Sequence, residues 1–551
     1  MTETARRGAS LRNIAIAGFT LAMSVVLLVI WPRFSVGHPS VIDDWSAYTG
    51  SGKALNGLLN LSYDPEAVAD PRRYRPAYIA IWNWLQWHTF GAPGSMIGPN
   101  AWNLLRISAF GLSAFLVPLV VLRDSLRTSI DRLAVVSLAA LLLVAIVATP
   151  FVAGDFYRFG PVELSLVWGM TLGALLLLSG MRMLLGGAWR DRRGRVIAVL
   201  AGGYAAWLFG VYSKEASVCF LVLLPFLYLH LNGRWREQGV IRSALIKQRA
   251  AQVVFAAMTV PVLHMLVEVK RIADSGTSVY GGAIAQSTNG LFAQLRGALD
   301  AQLSAMDTTL GTSFWHRLLW FAPPLLLLYV LKTRRVPWLA IGLLLLAVTA
   351  LAFQGLAGIA QSRYYVPTLV FGGVAMIILA ARMWPGVMAL GVVALALASI
   401  NNVSAARHFV DLGAFQDRDA ARGVSALAEL DPWRCPTYMA GMDQEPADAF
   451  SELVQLRPRP RAGDCDGGAS YLLSRSRPEL VIVVTNPRVF NVCAGGWTRL
   501  LTTNGWVLWK CHKFRRGDIR GQPVQQVLRE GRLIPGVRWT DRNKTPATAA
   551  K

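Results

Sequence analysis

Charge is scarce in this chain of 551 residues: Asp, Glu, Lys and Arg make up 16% of it, where a soluble domain carries roughly a quarter. That shortage argues against disorder and fits a soluble globule badly. Carboxylates are the rarer sign, 32 against 55 Lys and Arg, which leaves a formal charge of +23. Such an excess could mean nucleic-acid binding only if the basic residues gather on one solvated face. There are only five cysteines, and no Cys-x-x-Cys spacing supports a zinc site. No nucleotide phosphate loop, Rossmann glycine pattern or Ser/His/Asp arrangement stands out. Gly202-Gly203 and Gly281-Gly282 are isolated pairs, the first placed for helix packing. His38 reads as structural, though its place just before Asp43 gives it some interest.

What the chain has in quantity is apolar sequence: 54% of residues are hydrophobic and the mean hydropathy is +0.40. A helix needs about 20 apolar residues to cross a bilayer core, and eleven runs reach or approach that length. They lie at about 13–32, 101–122, 133–152, 162–182, 196–213, 216–232, 250–268, 315–331, 337–360, 366–381 and 384–400. The first begins with Arg6, Arg7 and Arg12 but lacks a small-residue cleavage pattern, so it reads as a retained anchor. The fold class expected is therefore a polytopic α-helical membrane protein.

Basic residues in the connections set the orientation, because Lys and Arg near span ends stay cytoplasmic. Arg123, Arg127 and Arg132, then Arg190 to Arg195, then Arg234 to Arg249, then Lys332, Arg334 and Arg335 all fall on one side if eleven spans alternate. The amino terminus is expected in the cytoplasm and the carboxyl terminus outside. Most of the +23 becomes orientation information, and no nucleic-acid partner is expected. Outer loops are then long at about 33–100 and 269–314. Trp45, Tyr48, Leu55, Leu58 and Leu59 recur at helical spacing, and Tyr78, Ile79, Trp82, Leu85 and Trp87 add aromatics. Both stretches suit interfacial helices or packing on the bundle.

After Asn401 no long apolar run returns. Strands are expected at Glu479–Thr485 and Gly505–Lys510, with helices around Asp419–Glu429 and Ala447–Leu456. Residues 401–538 read as a small extracytoplasmic α/β domain, with a disordered tail at 539–551. Cys435, Cys465, Cys493 and Cys511 all fall there, which suggests two disulfides, with sequence-local pairing favoured over the other connectivities.

Ionisable residues at the outer span ends are the candidates for chemistry, since charge near lipid costs at least a few kcal/mol. Asp43 and Asp44 can serve as general base, hold a divalent cation, or merely cap the following helix. Asp155, Arg158 and Glu163 share a short outer loop. Lys214 and Glu215 interrupt two apolar runs and could satisfy one another. Arg363, Tyr364 and Tyr365 open the tenth run; the arginine fork suits phosphate oxygens and also suits plain interfacial anchoring. Arg72 and Arg73 could meet phosphate or lipid headgroups.

This combination resembles the GT-C superfamily of membrane glycosyltransferases, of the bacterial polyprenyl-phosphate-sugar-dependent, protein-mannosyltransferase-like type. The resemblance covers roughly residues 10–400. It implies Asp43, with Asp44 beside it, as catalytic base, and Asp155 or Glu163 as an assisting acid. It implies Lys214 and Arg363 on the carrier phosphate, with a divalent metal (Mg or Mn) at Asp43 and Asp155 in some members. The activity implied is inverting transfer of a sugar from a polyprenyl-phosphate donor to a glycan, lipid or protein acceptor at the outer face of the bacterial inner membrane. A transporter or flippase, an oligosaccharide ligase or polymerase, and a non-catalytic scaffold are the alternatives. For a transporter the nearest features are His264 and Glu268.

Overall fold

The computed structural model describes residues 3–36, 75–77, 97–123, 126, 128–157, 162–274, 291–356 and 361–429, and short strands beyond them. Its helices are α1 Glu3–Ile30, α2 Ile97–Leu122, α3 Ser129–Val147, α4 Pro150–Tyr157, α5 Glu163–Leu185 and α6 Trp189–Ser213. A 3-10 segment, Glu215–Val222, leads into α7 Leu223–Glu237. Then come α8 Arg249–Asp274, α9 Leu291–Leu310, α10 Phe314–Trp320, α11 Ala322–Thr333, α12 Trp338–Leu356, α13 Ser362–Ala380 and α14 Pro385–Glu429. Among the described residues eleven helical stretches are long and apolar enough to cross a membrane, one for each expected run. The fold is that of a polytopic helical membrane protein.

Local chemistry explains where the helices depart from the expected runs. Thr128 caps α3 through a capping box: its Oγ1 accepts from the Asp131 N–H at 3.0 Å, while Asp131 Oδ2 accepts from the Thr128 N–H at 3.1 Å. The third run was expected to reach residue 152, but α3 stops at Val147. Pro150 has no N–H to continue the ladder and suits the first position of a new helix, so α4 starts there. Trp315 Nε1 donates to Thr149 Oγ1 at 2.7 Å and fixes the break. The eighth run divides into α10 and α11 around Phe321, because Pro323 and Pro324 fit only the opening turn of a helix. α14 runs 45 residues without the expected gap after Asn401. No proline follows Pro385 within it, and the Arg407–Asp411 pair at 3.2 Å, one turn apart, supports it.

α13 is the centre of the bundle: 89% of its spanning window is buried, against 17% for the window of α10 and α11. Glycines set the contact between α5 and α6. A Cβ on Gly169 would fall 2.6 Å from Gly210 Cα, and one on Gly173 would fall 2.5 Å from the Trp207 backbone N. The backbones touch along the shared length, as small residues allow between membrane helices. Gly203 joins the seam, where a Cβ would come within 2.8 Å of Leu177 N; Gly202 beside it meets nothing within 4 Å.

The chain divides into two compact units, Met1–Ser35 with Gly50–Asp411, and Val36–Thr49 with Leu412–Lys551. In the second, β1 Thr437–Ala440, β2 Ser470–Arg475, β6 Trp506–Cys511 and β5 Trp497–Thr503 form a sheet in that order. β1 and β2 are parallel, and the other two pairings are antiparallel. β3 Val481–Val483 pairs parallel with β8 Arg538–Thr540, and β4 Phe490–Cys493 antiparallel with β7 Phe514–Gly517. β3 and β6 fall on the two expected strands. The expected helix at Ala447–Leu456, Cys435 and Cys465 lie outside the described residues, as do the side chains of Cys493 and Cys511.

The glycine seam gives a direct test. Gly210→Val should lower stability by about 1–3 kcal/mol through overpacking, while Gly202→Ala should leave the melting temperature of the purified protein within a degree or so. Equal melting temperatures for the two variants would deny the seam its role.

Candidate functional site

The ends of four segments meet around the start of α13. Lys214 lies between α6 and the 3-10 segment with extended backbone, φ −155° and ψ 141°. In extended backbone successive side chains point to opposite sides, so Lys214 and Glu215 do not satisfy one another as adjacent residues might. Each takes a distant partner instead. Lys214 Nζ donates to Glu163 Oε1 at the start of α5, with both side chains almost wholly buried. Glu215, 0% exposed, accepts from Arg75 Nε at 3.0 and 2.9 Å, one bond to each carboxylate oxygen. Burial pushes the ammonium of Lys214, which lies between two spans, below its ordinary value; the Glu163 carboxylate pulls the other way.

The Ser362-Arg363-Tyr364 run at the head of α13 joins further groups to these pairs. Ser362 Oγ donates to Asp155 Oδ2 at 2.6 Å, and Asp155 on α4 is buried. The Lys214 ammonium sits 4.0 Å from the Tyr364 ring centroid, and the half-buried Arg363 guanidinium 5.3 Å from it. Both are distances at which the ring's negative face attracts a cation. Three residues in sequence thus connect an acid from α4, an ammonium from beyond α6 and a guanidinium of their own. Tyr365 points elsewhere, donating to Gln302 O at 2.9 Å.

Of the sequence candidates, the structure brings together Asp155, Glu163, Lys214, Glu215, Arg363 and Tyr364. Asp43, Asp44, Arg72, Arg73, Arg158 and His38 lie outside the described residues. Sequence reasoning missed the part played by Arg75 and Ser362, and also a buried basic group beside α4. Arg106 donates to Asn103 Oδ1 at 2.7 Å, Asn103 Nδ2 to Phe156 O at 3.4 Å, and Arg33 lies 5.3 Å from the Tyr157 ring centroid. An arginine or asparagine inside an apolar run is the signal that could have marked Arg106 and Asn103.

Its structural neighbours are structures of ArnT. Two crystal structures of ArnT from Cupriavidus metallidurans, one bound to undecaprenyl phosphate and one in the apo state, align with TM-scores of 0.41 and 0.40. Each shares 12% identity and covers 89% of this chain and 97% of that one. At that distance the likeness transfers neither residues nor activity. No family model and no curated protein matches the chain.

Two other features bear on the chemistry. Among the described residues no group of three or more His, Cys, Asp or Glu side chains could hold a metal. Glu163 and Glu215 are each held by a basic partner; of the two residues expected to hold a divalent cation, Asp155 accepts from Ser362 and Asp43 lies outside the described residues. Glu268, the residue nearest to a transporter-type carboxylate, is held within its own helix by Arg271 at 3.1 Å and by His264 at 3.6 Å. His264 in turn meets Tyr212 Oη at 3.1 Å.

The buried pair is testable by double substitution. Glu163→Gln and Lys214→Met should each destabilise by about 3–5 kcal/mol, because each strands a buried charge, and the double variant should recover much of the loss. Denaturant unfolding of the three variants reads this out; additive losses would mean the two charges do not depend on each other.

Proposed function

We propose that this chain is an inverting glycosyltransferase that moves a sugar from a polyprenyl-phosphate carrier to a glycan, lipid or protein acceptor on the outer face of the bacterial inner membrane. The observation that carries this reading is the Ser362–Tyr364 run, which ties Asp155, Lys214 and Arg363 into one cluster at the span ends. A reaction that expels a lipid phosphate needs cationic groups placed where charge develops, at the depth where an anchored phosphate sits. It also needs a carboxylate to take a proton. The cluster supplies the cationic groups, with Asp155 beside them, and Asp43 is the carboxylate assigned to the proton.

In this reading the acceptor hydroxyl attacks the anomeric carbon while the bond from that carbon to the phosphate oxygen breaks. The bonding pair leaves with the polyprenyl phosphate, and the hydroxyl proton passes to the Asp43 carboxylate. Direct displacement inverts the anomeric configuration. Arg363, half-buried, contacts the phosphate. Lys214, almost wholly buried and already held by Glu163, acts from behind the Tyr364 ring and holds that ring in place. Asp155 orients Ser362 and the head of α13, and assists at the reacting centre. Asp44, Arg72, Arg73 and Arg158 supply further polar contacts to donor or acceptor. Binding of the prenyl chain between spans supplies energy away from the reacting atoms.

The purified full chain should release carrier from a panel of polyprenyl-phosphate sugars. Arg363→Ala should reduce the rate about 10²–10³-fold, the usual cost of one donor to a developing anion, and Asp43→Asn about 10²–10⁴-fold. Absence of turnover with every donor, together with donor binding equal to that of the variants, would overturn the reading.

A further inference from the structure

A cavity of about 790 Å³ opens at the other end of the bundle from this cluster. It is within the size range of small-molecule sites, roughly 300–1,000 Å³. Its wall includes Arg182 on α5, and at about 1.5 Å per residue that side chain stands about 29 Å along the helix from Glu163. The cavity therefore begins near the end bearing the basic connections and reaches inward between the helices. Its deeper wall is apolar, including Leu178, Leu227 and Phe371, while Arg123, Arg132, Arg182 and Arg234 line the end near the connections. No Asp or Glu is among the described residues that line it.

Retention of basic residues on one side of the membrane accounts for exposed arginines such as Arg123 and Arg182. It does not account for two further features. Arg132 is only 6% exposed, with its Nε donating to Leu126 O at 3.4 Å, so a guanidinium has been built into the wall. One helical turn before Arg234, His230 also lines the cavity, and its Nε2 is buried with no hydrogen-bond partner among the described residues. A buried polar atom of that kind costs free energy unless something occupies the space beside it. The cavity thus presents, from its mouth inward, a cationic group, a polar atom one turn deeper, and an apolar slot.

We propose that this cavity binds one anionic glycerophospholipid from the membrane leaflet at that end, with its phosphate among Arg132, Arg182 and Arg234, an ester oxygen near His230, and an acyl chain in the apolar slot. Charge complementarity selects the occupant: basic pockets between membrane helices draw anionic headgroups, and the order of groups follows that of a phospholipid from phosphate to ester to chain. The site is separate from the transfer cluster, so it does not depend on the proposed glycosyl transfer.

The test titrates the delipidated full chain in detergent with phosphatidylglycerol and with phosphatidylcholine of the same acyl chains, and reads retained lipid by native mass spectrometry. One phosphatidylglycerol should bind about tenfold more tightly than phosphatidylcholine. Arg132→Gln combined with Arg234→Gln should abolish that preference at an unchanged melting temperature. Leu178→Trp, which fills the slot, should lower retention of the tightly bound lipid at least as far; if the arginine variant fails to fold, this variant and the wild-type comparison decide. Equal binding of the two lipids, an unchanged preference in folded Arg132→Gln/Arg234→Gln protein, or undiminished retention in folded Leu178→Trp protein would overturn the proposal. So would displacement of the phospholipid by inorganic phosphate alone, or by polyprenyl phosphate at lower concentration, either of which would assign the cavity to another ligand.

Discussion

An ammonium and a carboxylate withdrawn from water must find each other, and in this protein that requirement fixes the ends of several helices. Lys214 and Glu163 are buried together, as are Arg75 and Glu215. Neither charge of a pair could stay at that depth alone without a penalty of several kcal/mol. The start of α5, the turn after α6 and the short segment at Arg75 are therefore held in mutual register. Tyr364 places its ring against the same ammonium, so the head of α13 is drawn into the set.

The pairing is possible only because the backbones beneath it approach so closely. Where Gly169 faces Gly210 and Gly173 faces Trp207, no side chain separates α5 from α6. Lipid offers no hydrophobic drive for helices to associate, so close van der Waals packing has to supply it. Antiparallel helices joined along such a seam bring the first residue of one opposite the last residue of the other, which is where Glu163 and Lys214 stand. Packing in the span and charge at its end are thus one device. The proline breaks serve the same end of the bundle, since Pro150 restarts the chain as α4 and sets Asp155 facing Ser362.

Hydropathy made the eleven spans legible because each helix must bring its own apolar length. Their irregularities were less so, since a proline near a run's end reads equally as part of the span or as its terminus. Several site residues could be picked out as ionisable groups at span ends, yet their partners could not. Lys214 and Glu215 are neighbours in sequence, and only the extended backbone at Lys214 sends them to different helices. Glu163 and Lys214 lie 51 positions apart, a separation that no local pattern encodes. The glycine seam had a readable trace, Gly169 and Gly173 four residues apart, but the identity of the facing helix was not in it.

The charges of the cluster also balance. Arg75, Lys214 and Arg363 stand against Asp155, Glu163 and Glu215, three cations to three carboxylates, so these six groups together present little net charge to an arriving carrier, with Arg33 and Arg106 beside α4 as further cations. A sugar phosphodiester brings one negative charge and leaves as a phosphate monoester with up to two. In the proposed transfer the acceptor proton goes to a carboxylate at the same time, removing one negative charge from the protein as one more develops on the leaving group. The total in the site then stays constant through the reaction. A strongly cationic cluster would instead bind the spent carrier more tightly than the loaded one and slow its release. Binding that favours the transition state without trapping the product calls for near-neutral surroundings with one mobile proton. The excess positive charge of the chain, by contrast, gathers in the basic connections at the opposite end, where holding an anion does not compete with turnover.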